Sequence, residues 1–130
     1  MTTEHEELVR NIYDAYARRD LAAALSRFSP EVEFVQTNLL PWGGSYRGLE
    51  GAQASLGQLI AHVDSRVEVE ETFSAGDQVV VVGRTRGTAR ASGAPFDLRA
   101  VHVWTVVEGR ITRFEAYIDT PAMLKALAPE

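Results

Sequence analysis

The chain has 130 residues, no cysteine, 13 basic and 18 acidic side chains, and a net charge of −5. This length fits one domain spanning residues 1–130, and a hydrophobic content of 45% is typical of a globular protein rather than of a disordered one. The acidic balance argues against nucleic-acid binding, no apolar run approaches the roughly 20 residues that cross a bilayer, and a cytoplasmic protein without disulfides is expected.

Two helices are predicted at the start of the chain. Apolar side chains recur at helical spacing and predict an α-helix that continues to about Arg19. Asp20 suits the cap of a second, shorter helix over residues 21–28, because a carboxylate there accepts free backbone N–H groups. Pro30 is expected to end that helix, since proline disfavours the helical conformation in the residue before it.

A strand, a loop and a third helix follow. Residues 32–37 have the sequence VEFVQT, which is typical of a short strand. Residues 38–51 contain four glycines and a proline, which predict a long loop. The next helix has one apolar stripe, which consists of Ala52, Leu56, Leu59, Ile60 and Val63.

From Arg66 onward the apolar residues alternate with a period of two, which indicates strands. Four strands are predicted, over residues 66–74, 78–90, 95–107 and 110–119, and the short segments between them have the composition of turns. A last short helix begins at Thr120, with a proline in its first turn. Helices segregated from a run of antiparallel strands indicate the α+β class.

Both faces of the strand over residues 95–107 are largely apolar. One face carries Leu98, Ala100, His102, Trp104 and Val106, and the other carries Val101, Val103, Thr105 and Val107. An antiparallel sheet covered on one side alternates apolar and polar residues, so the second face needs a cover. A second copy of the chain is the simplest cover and predicts a homodimer through the outer sheet face; a terminal segment is the alternative.

The strand over residues 78–90 has one face of small side chains, which include Gly83, Thr85 and Gly87. Small residues on the inward face of a sheet leave space, and an apolar hollow is where small molecules bind. The alternative is that a large aromatic side chain, from Trp42, Trp104 or Phe114, fills the hollow. The opposite face carries Arg84, Arg86, Thr88 and Arg90, and these side chains are expected in solvent or paired with Asp97 and neighbouring glutamates.

Three segments carry a resemblance to a known family. They are the helical hairpin with its Arg18-Arg19-Asp20 bend, the loop LPWGGSYRGLEG over residues 40–51, and the ending VWTVVEGRITRFEAYIDT over residues 103–120. Together they resemble the nuclear transport factor 2-like superfamily and, within it, the SnoaL-like group related to polyketide cyclases and ketosteroid isomerases. The resemblance covers nearly the whole chain. It implies a cone-shaped fold, in which a curved antiparallel sheet wraps around a long helix, encloses an apolar pocket and often forms a dimer across its outer face.

The catalytic residues of ketosteroid isomerases are only partly matched. The position of the family's aspartate base corresponds to Gln36, and an amide cannot accept a proton at neutral pH. The position of the oxyanion-hole tyrosine corresponds to Ile12, with Tyr13 and Tyr16 within one helical turn, and the protonated acid corresponds to His102. The resemblance therefore implies an isomerase-like pocket without the isomerase base.

Two other activities of the superfamily lack their carboxylates. The Asp-Arg-Asp set of limonene-epoxide-hydrolase-like members corresponds to Gly83, Thr85 and Ala116, and the cyclase-type aspartate also corresponds to Ala116. Glu115 and Asp119 lie near this position, but they are expected on the opposite strand face, and Asp119 suits a helix cap. The epoxide-hydrolase activity is therefore not expected.

His102 is the candidate catalytic residue, because it is the one histidine expected on the inward face of a strand. Its ordinary pKa suits a general acid or base, and it can equally bind a ligand carbonyl or pair with Gln36 or Tyr16 as a buried core histidine. The other residues predicted to line the pocket are Ile12, Tyr16, Gln36, Trp42, Leu56, Ile60, Thr85, Trp104, Phe114 and Ile118.

Two functions from different classes remain open. The first is cofactor-free acid–base catalysis of the isomerase or cyclase type on an apolar carbonyl or polyketide-like substrate. The second is non-catalytic binding of a small apolar molecule after loss of the family's carboxylates. No phosphate loop and no nucleophile elbow is present, and the three histidines lack ligand spacing, so neither a metal nor a cofactor is expected.

Overall fold

The computed structural model describes residues 2–128, with side chains for residues 4–128. Its elements are α1 (Thr2–Ala17), α2 (Leu21–Leu25), β1 (Phe28–Gln36), β2 (Gly44–Arg47), α3 (Gly48–His62), β3 (Val63–Ala75), β4 (Gln78–Ala89), β5 (Pro95–Val107), β6 (Arg110–Ile118) and α4 (Thr120–Leu127). The predicted α+β class is confirmed. No helix in this part of the chain has both the length and the apolar content to cross a membrane.

The first strand differs from its prediction. β1 begins at Phe28, whose buried ring packs in the core, so α2 already ends at Leu25. Pro30 lies inside β1 rather than ending a helix. The pairing of β1 with β6 is irregular between Phe28 and Glu33, and such an irregularity accommodates a residue that has no N–H to donate.

The predicted loop over residues 38–51 contains a short strand and the start of α3. β2 pairs antiparallel with the end of β1 and forms one edge of the sheet. Glycines at its start and after its end hide a four-residue edge strand from sequence analysis, because glycine is depleted in strands. The third helix accordingly begins at Gly48, in front of the predicted apolar stripe.

The six strands form one curved sheet in the order β2-β1-β6-β5-β4-β3. β1 and β6 run parallel, and the other neighbouring pairs are antiparallel. Helix α1 packs on the inner face of β3 and β4, α3 packs on β1, and α4 packs on β5. The inner face is thus covered by helices over most of its width.

Two hydrophobic clusters fill the space between the helices and the sheet. The first lies under α1 and contains, among others, Val9, Ile12, Phe28, Val32, Trp104 and Ile111. The second connects the loop before β2 with α4 and contains Leu40, Trp42, Val63, Phe96, Leu98, Met123 and Ala126. Asp119 starts α4, because its carboxylate accepts the N–H of Ala122 at 3.2 Å, as the sequence predicts.

Strand β3 curls closely over the inner side of β4. A Cβ atom at Gly83 would lie 2.0 Å from the carbonyl oxygen of Glu68, and one at Gly87 would lie 2.0 Å from that of Asp64. The pairing of the two strands is also irregular between Val69 and Glu71, which increases local twist. The space over these glycines is therefore occupied by the backbone of β3 rather than left as part of a hollow.

Several charged side chains on the outer face are paired, as predicted for the arginines of β4. Arg84 binds Asp97 at 2.6 Å, and Arg86 binds Glu68 at 2.6 Å. On β6, Glu115 accepts hydrogen bonds from the side chains of Arg113 and Tyr117. Glu115 therefore faces away from the inner side of the sheet.

Replacement of Gly83 by alanine is expected to lower the free energy of unfolding by about 2 kcal/mol or more, because the new methyl group overlaps the backbone of β3. Urea denaturation measures the change. Gly57→Ala is the matched control, since nothing lies within 4 Å of the added methyl group. This helical control is expected to gain about 0.5–1 kcal/mol, and an equally stable Gly83→Ala variant would contradict the close approach of β3.

Candidate ligand-binding site

A cavity lies between the helices and the inner face of the sheet. Its volume is about 110 Å³, which is several times the roughly 10–15 Å³ that a single water molecule requires in the same measure. Large aromatic side chains line the cavity without filling it. Its walls are mostly apolar, and within the described part of the chain no carboxylate or cationic side chain lines them.

Most of the residues predicted for the pocket lie on its walls. These are His102, Ile12, Tyr16, Gln36, Trp42, Leu56, Thr85, Trp104, Phe114 and Ile118. Ile60 does not lie on the wall, and Leu59 lies there instead. The buried side of α3 runs through Ala52 and Ser55, and this phase turns Leu59 rather than Ile60 toward the cavity.

The predicted set omits several residues of the wall, of which Tyr13, Ser65 and Met123 are the most informative. The sequence pattern favours Ile12 and Tyr16 over Tyr13, since the strongest apolar spacing in α1 passes through Ile12 and Tyr16. Ser65 lies in β3, which begins at Val63, three residues before the start of the predicted strand at Arg66. Met123 cannot be predicted from the sequence, because the apolar pattern of α4 is too short to show which face of the helix is buried.

A chain of hydrogen bonds connects β5 with α1 at the cavity. The indole N–H of Trp104 donates to the hydroxyl oxygen of Tyr13 at 2.9 Å, and this oxygen lies 2.6 Å from Nδ1 of His102. The rings of Tyr13 and His102 are stacked, with centroids 5.8 Å apart and an angle of 13° between planes. His102 is thus paired with Tyr13, rather than with Gln36 or Tyr16 as considered from the sequence.

The positions of the protons follow from these hydrogen bonds. Trp104 can only donate, so the Tyr13 oxygen accepts from it and has one O–H of its own to place. Donation of that O–H to Nδ1 of His102 satisfies the buried hydroxyl. The opposite arrangement leaves the Tyr13 hydrogen without an acceptor among the described residues, at a cost of about 1–3 kcal/mol. We therefore assign the neutral imidazole with its proton on Nε2.

Burial keeps both rings neutral. Desolvation lowers the pKa of His102 to about 4, because a charged imidazolium is poorly solvated inside the protein. Desolvation also raises the pKa of the Tyr13 hydroxyl, and the hydrogen bond from Trp104 offsets only part of that increase. At neutral pH neither group carries a charge.

His102 is consequently a hydrogen-bond donor rather than a base in the resting protein. Its Nδ1 lone pair accepts from Tyr13, and its Nε2–H has no partner among residues 4–128 while the ring lines the cavity. A neutral imidazole of this kind polarises a carbonyl oxygen or stabilises a developing oxyanion. Removal of a proton from a substrate needs a base, and the described wall residues supply no carboxylate for it.

The fold is an α+β fold in which helices and one curved six-stranded sheet enclose a neutral, mostly apolar cavity. The chain belongs to the SnoaL-like domain family, whose family model matches residues 9–114, and the resemblance found from the sequence is confirmed. The uncharacterized protein Rv0034 of Mycobacterium tuberculosis is 36% identical over 119 residues, which cover 89% of each chain.

Two solved structures are similar over nearly their whole length. An NTF2-like protein of unknown function from Burkholderia pseudomallei K96243 is 29% identical, with a TM-score of 0.90, over 96% of this chain and 98% of that chain. The protein TerC, co-crystallized with polyporic acid, is 29% identical, with a TM-score of 0.86, over 95% of this chain and 98% of that chain.

Acidification from pH 6.5 toward pH 4 is expected to destabilise the protein. In this range the unfolded chain, with an ordinary histidine pKa of about 6.5, takes up a proton that folded His102, with a pKa of about 4, does not. Between these two pKa values the contribution of His102 to the free energy of unfolding falls by up to about 1.4 kcal/mol per pH unit as the pH is lowered. Above pH 6.5 this contribution no longer changes with pH. Urea denaturation across this range measures the slope, and the His102→Gln variant is expected to lack this part of it. An imidazole of His102 that titrates at pH 6.5 or above in NMR spectra would contradict the assignment.

Proposed function

We propose that this protein binds a small, predominantly apolar molecule that carries a carbonyl oxygen. The observation that supports this function is the Nε2–H of His102, an unpartnered donor on the wall of an otherwise apolar cavity. An apolar pocket with few polar groups suits ligands of this kind, since the walls supply affinity and the polar groups fix orientation. The similarity to TerC, which was co-crystallized with polyporic acid, also supports a small-molecule ligand.

Gln36 lies where its side chain can bond to the same ligand oxygen as His102. β1 and β6 run parallel with Val35 opposite Glu115, so the next residues, Gln36 and Ala116, share a row of the sheet. Ala116 lies opposite His102 on β5. Gln36 and His102 thus flank the small Ala116 side chain, with about 5 Å between neighbouring strands, and both can reach an oxygen above it.

Catalysis of the isomerase or cyclase type is the second candidate, and the same Nε2–H favours it. A fixed donor in a mostly apolar cavity stabilises the negative charge of an enolate. The absence of a carboxylate from the described walls weighs against this candidate, because enolisation also needs a proton acceptor. Binding is therefore the function that the geometry supports better.

We also propose that a second copy of the chain covers the outer face of the sheet. Neighbouring strands there present an apolar patch, the outer valine patch, which consists of Phe73, Val80, Val82, Val101, Val103 and Tyr117. Phe73 and Tyr117 are 48% and 55% exposed. Charges of both signs surround the patch, with Arg84 and Asp97 on one side and Arg113 and Glu115 on the other. Mixed signs suit a contact in which one surface must complement itself.

Ligand binding is tested with para-phenylacetophenone, an apolar biphenyl with one acetyl group, and with polyporic acid. Calorimetric titration is expected to show binding of the ketone to the wild-type protein. His102→Phe is expected to bind it at least about tenfold more weakly, because the carbonyl oxygen loses its donor in a buried site. His62→Phe, which changes a histidine outside the cavity wall, is the matched control and is expected to keep the wild-type affinity.

Equal affinity of the His102→Phe variant and the wild type would contradict the role of His102. Absence of binding of both probes to the wild type would contradict the proposed function. The methyl protons of bound para-phenylacetophenone also separate the two candidates, because they exchange with deuterated solvent through the enolate. No acceleration of this exchange is expected for a binding protein, and a His102-dependent acceleration would favour catalysis.

The Val101→Glu substitution is expected to convert a dimer into a monomer, because it places a charge at the centre of the outer valine patch. Sedimentation equilibrium is expected to give twice the chain mass for the wild type and the chain mass for the variant. Leu124→Glu introduces the same charge at an exposed position of α4 and is expected to remain dimeric. A wild-type protein that sediments at the chain mass at micromolar concentrations would contradict the dimer.

A further inference from the structure

We infer, on the basis of the binding function proposed above, that the cavity has a second polar end and that its ligand carries a hydroxyl group opposite its carbonyl oxygen. The second end, here called the hydroxyl end, consists of Tyr16, Ser65 and Thr85. The first end, here called the carbonyl end, consists of His102 and Gln36. All of these residues line the same cavity.

Thr85 is the strongest indication of a ligand group at the hydroxyl end. Its residue is only 9% exposed, and it lines the cavity. Its side-chain hydroxyl has no hydrogen-bond partner among residues 4–128. The hydroxyl is therefore free to donate to, and accept from, a molecule that enters the cavity.

The hydroxyl groups of Ser65 and Tyr16 can also form hydrogen bonds with a ligand. Their oxygens are 3.5 Å apart, which is longer than the 2.5–3.0 Å of an ordinary O–H···O hydrogen bond. Ser65 lies opposite Gly87, and Thr85 lies opposite Val67, two positions along β3. Ser65 and Thr85 are therefore diagonal neighbours on the inner face, about 7–8 Å apart at their Cα atoms, and one ligand oxygen can contact both.

Arg19 holds the hydroxyl end in place. Its guanidinium donates to the carbonyl oxygens of Tyr16 at 2.9 Å and Ser65 at 2.7 Å, and it lies 4.3 Å from the centre of the Tyr16 ring. The left-handed conformation of Arg19, with φ of 59°, directs the side chain back across the end of α1. One arginine thus fixes α1 to β3 where their hydroxyl groups meet.

The charge of Arg19 does not favour an anionic ligand group. The guanidinium is already bound to two carbonyl oxygens and to Asp64 at 3.1 Å, and Arg19 does not line the cavity. The hydroxyl end therefore offers neutral groups that both donate and accept. A ligand hydroxyl matches such groups better than a carbonyl, which only accepts, or a carboxylate, which brings a charge into a neutral cavity.

The spacing of the two ends defines the shape of the ligand. Thr85 lies opposite Leu98, and Leu98 and His102 are four residues apart on β5, which corresponds to about 13 Å of strand. The curvature of the sheet shortens the direct path across the cavity. The rest of the wall is apolar or aromatic, apart from the hydroxyl of Tyr13, which is bonded to His102. An elongated apolar molecule with an oxygen at each end fits this arrangement.

The experiment compares para-phenylacetophenone with its derivative that has a hydroxyl group at the far end of the biphenyl. The wild-type protein is expected to bind the hydroxylated ketone about tenfold more tightly, the size of one satisfied hydrogen bond. The nearly isosteric Thr85→Val variant is expected to lose this preference and to bind the two ketones with equal affinity. Thr88→Val removes a hydroxyl from the exposed side of the same strand and is expected to keep the preference.

Each outcome of this comparison decides the inference. Equal affinity of the two ketones for the wild type overturns the hydroxyl end and leaves the proposed function intact. A preference that survives in both Thr85→Val and Ser65→Ala overturns the location of the hydroxyl end. Failure of the wild type to bind either ketone overturns the hydroxyl end, and if polyporic acid also fails to bind, the proposed function is overturned with it.

Discussion

The hydrogen bond between Tyr13 and His102 joins the long helix to the middle of the sheet, and the chemistry of the cavity depends on it. Without this bond the imidazole would be a buried polar ring with no internal acceptor or donor. With it, the tautomer is fixed and a single N–H faces the cavity. Trp104 completes the constraint from the same strand, since its indole donor takes the second position on the Tyr13 oxygen. Packing and polarity of the cavity are thus set by the same three side chains.

Charged and neutral polar side chains lie on opposite faces of the sheet. The ion pairs of Arg84, Arg86 and Arg113 all lie on the outer face of the sheet, while the inner face carries neutral polar groups. A neutral interior keeps the pKa of His102 low, because no nearby carboxylate compensates for burial. Ala116, which lies opposite His102 on the neighbouring strand, supplies no carboxylate. This position therefore offers no base, and it has no negative charge that would raise the pKa of the histidine.

Local patterns in the sequence were sufficient for most of the fold and for part of the site. Period-two alternation predicts β4, β5 and β6 to within one residue at each end and separates Phe114 from Glu115 on opposite strand faces. The family resemblance assigns the face of Phe114 to the pocket, where the structure places this residue and His102. The alternation does not predict which residue binds His102. Tyr13 is 89 positions away along the chain, and its approach depends on the position of α1 across the sheet. The choice between Leu59 and Ile60 likewise depends on a helix rotation that a broad apolar stripe leaves undetermined.

The cavity has two kinds of wall. On one side lies β3, which approaches Gly83 and Gly87 closely and contributes Val63, Ser65 and Val67 to the wall; its position is set by the hydrogen bonds of the sheet. On the opposite side the boundary consists of side chains on the helices, on β1 and on β6, including the small Ala24 and Ala116. Adaptation to a larger or smaller ligand can proceed by substitution on the second wall while the sheet keeps its curvature. The fold thereby separates the part of the pocket that can change during evolution from the part that must stay constant.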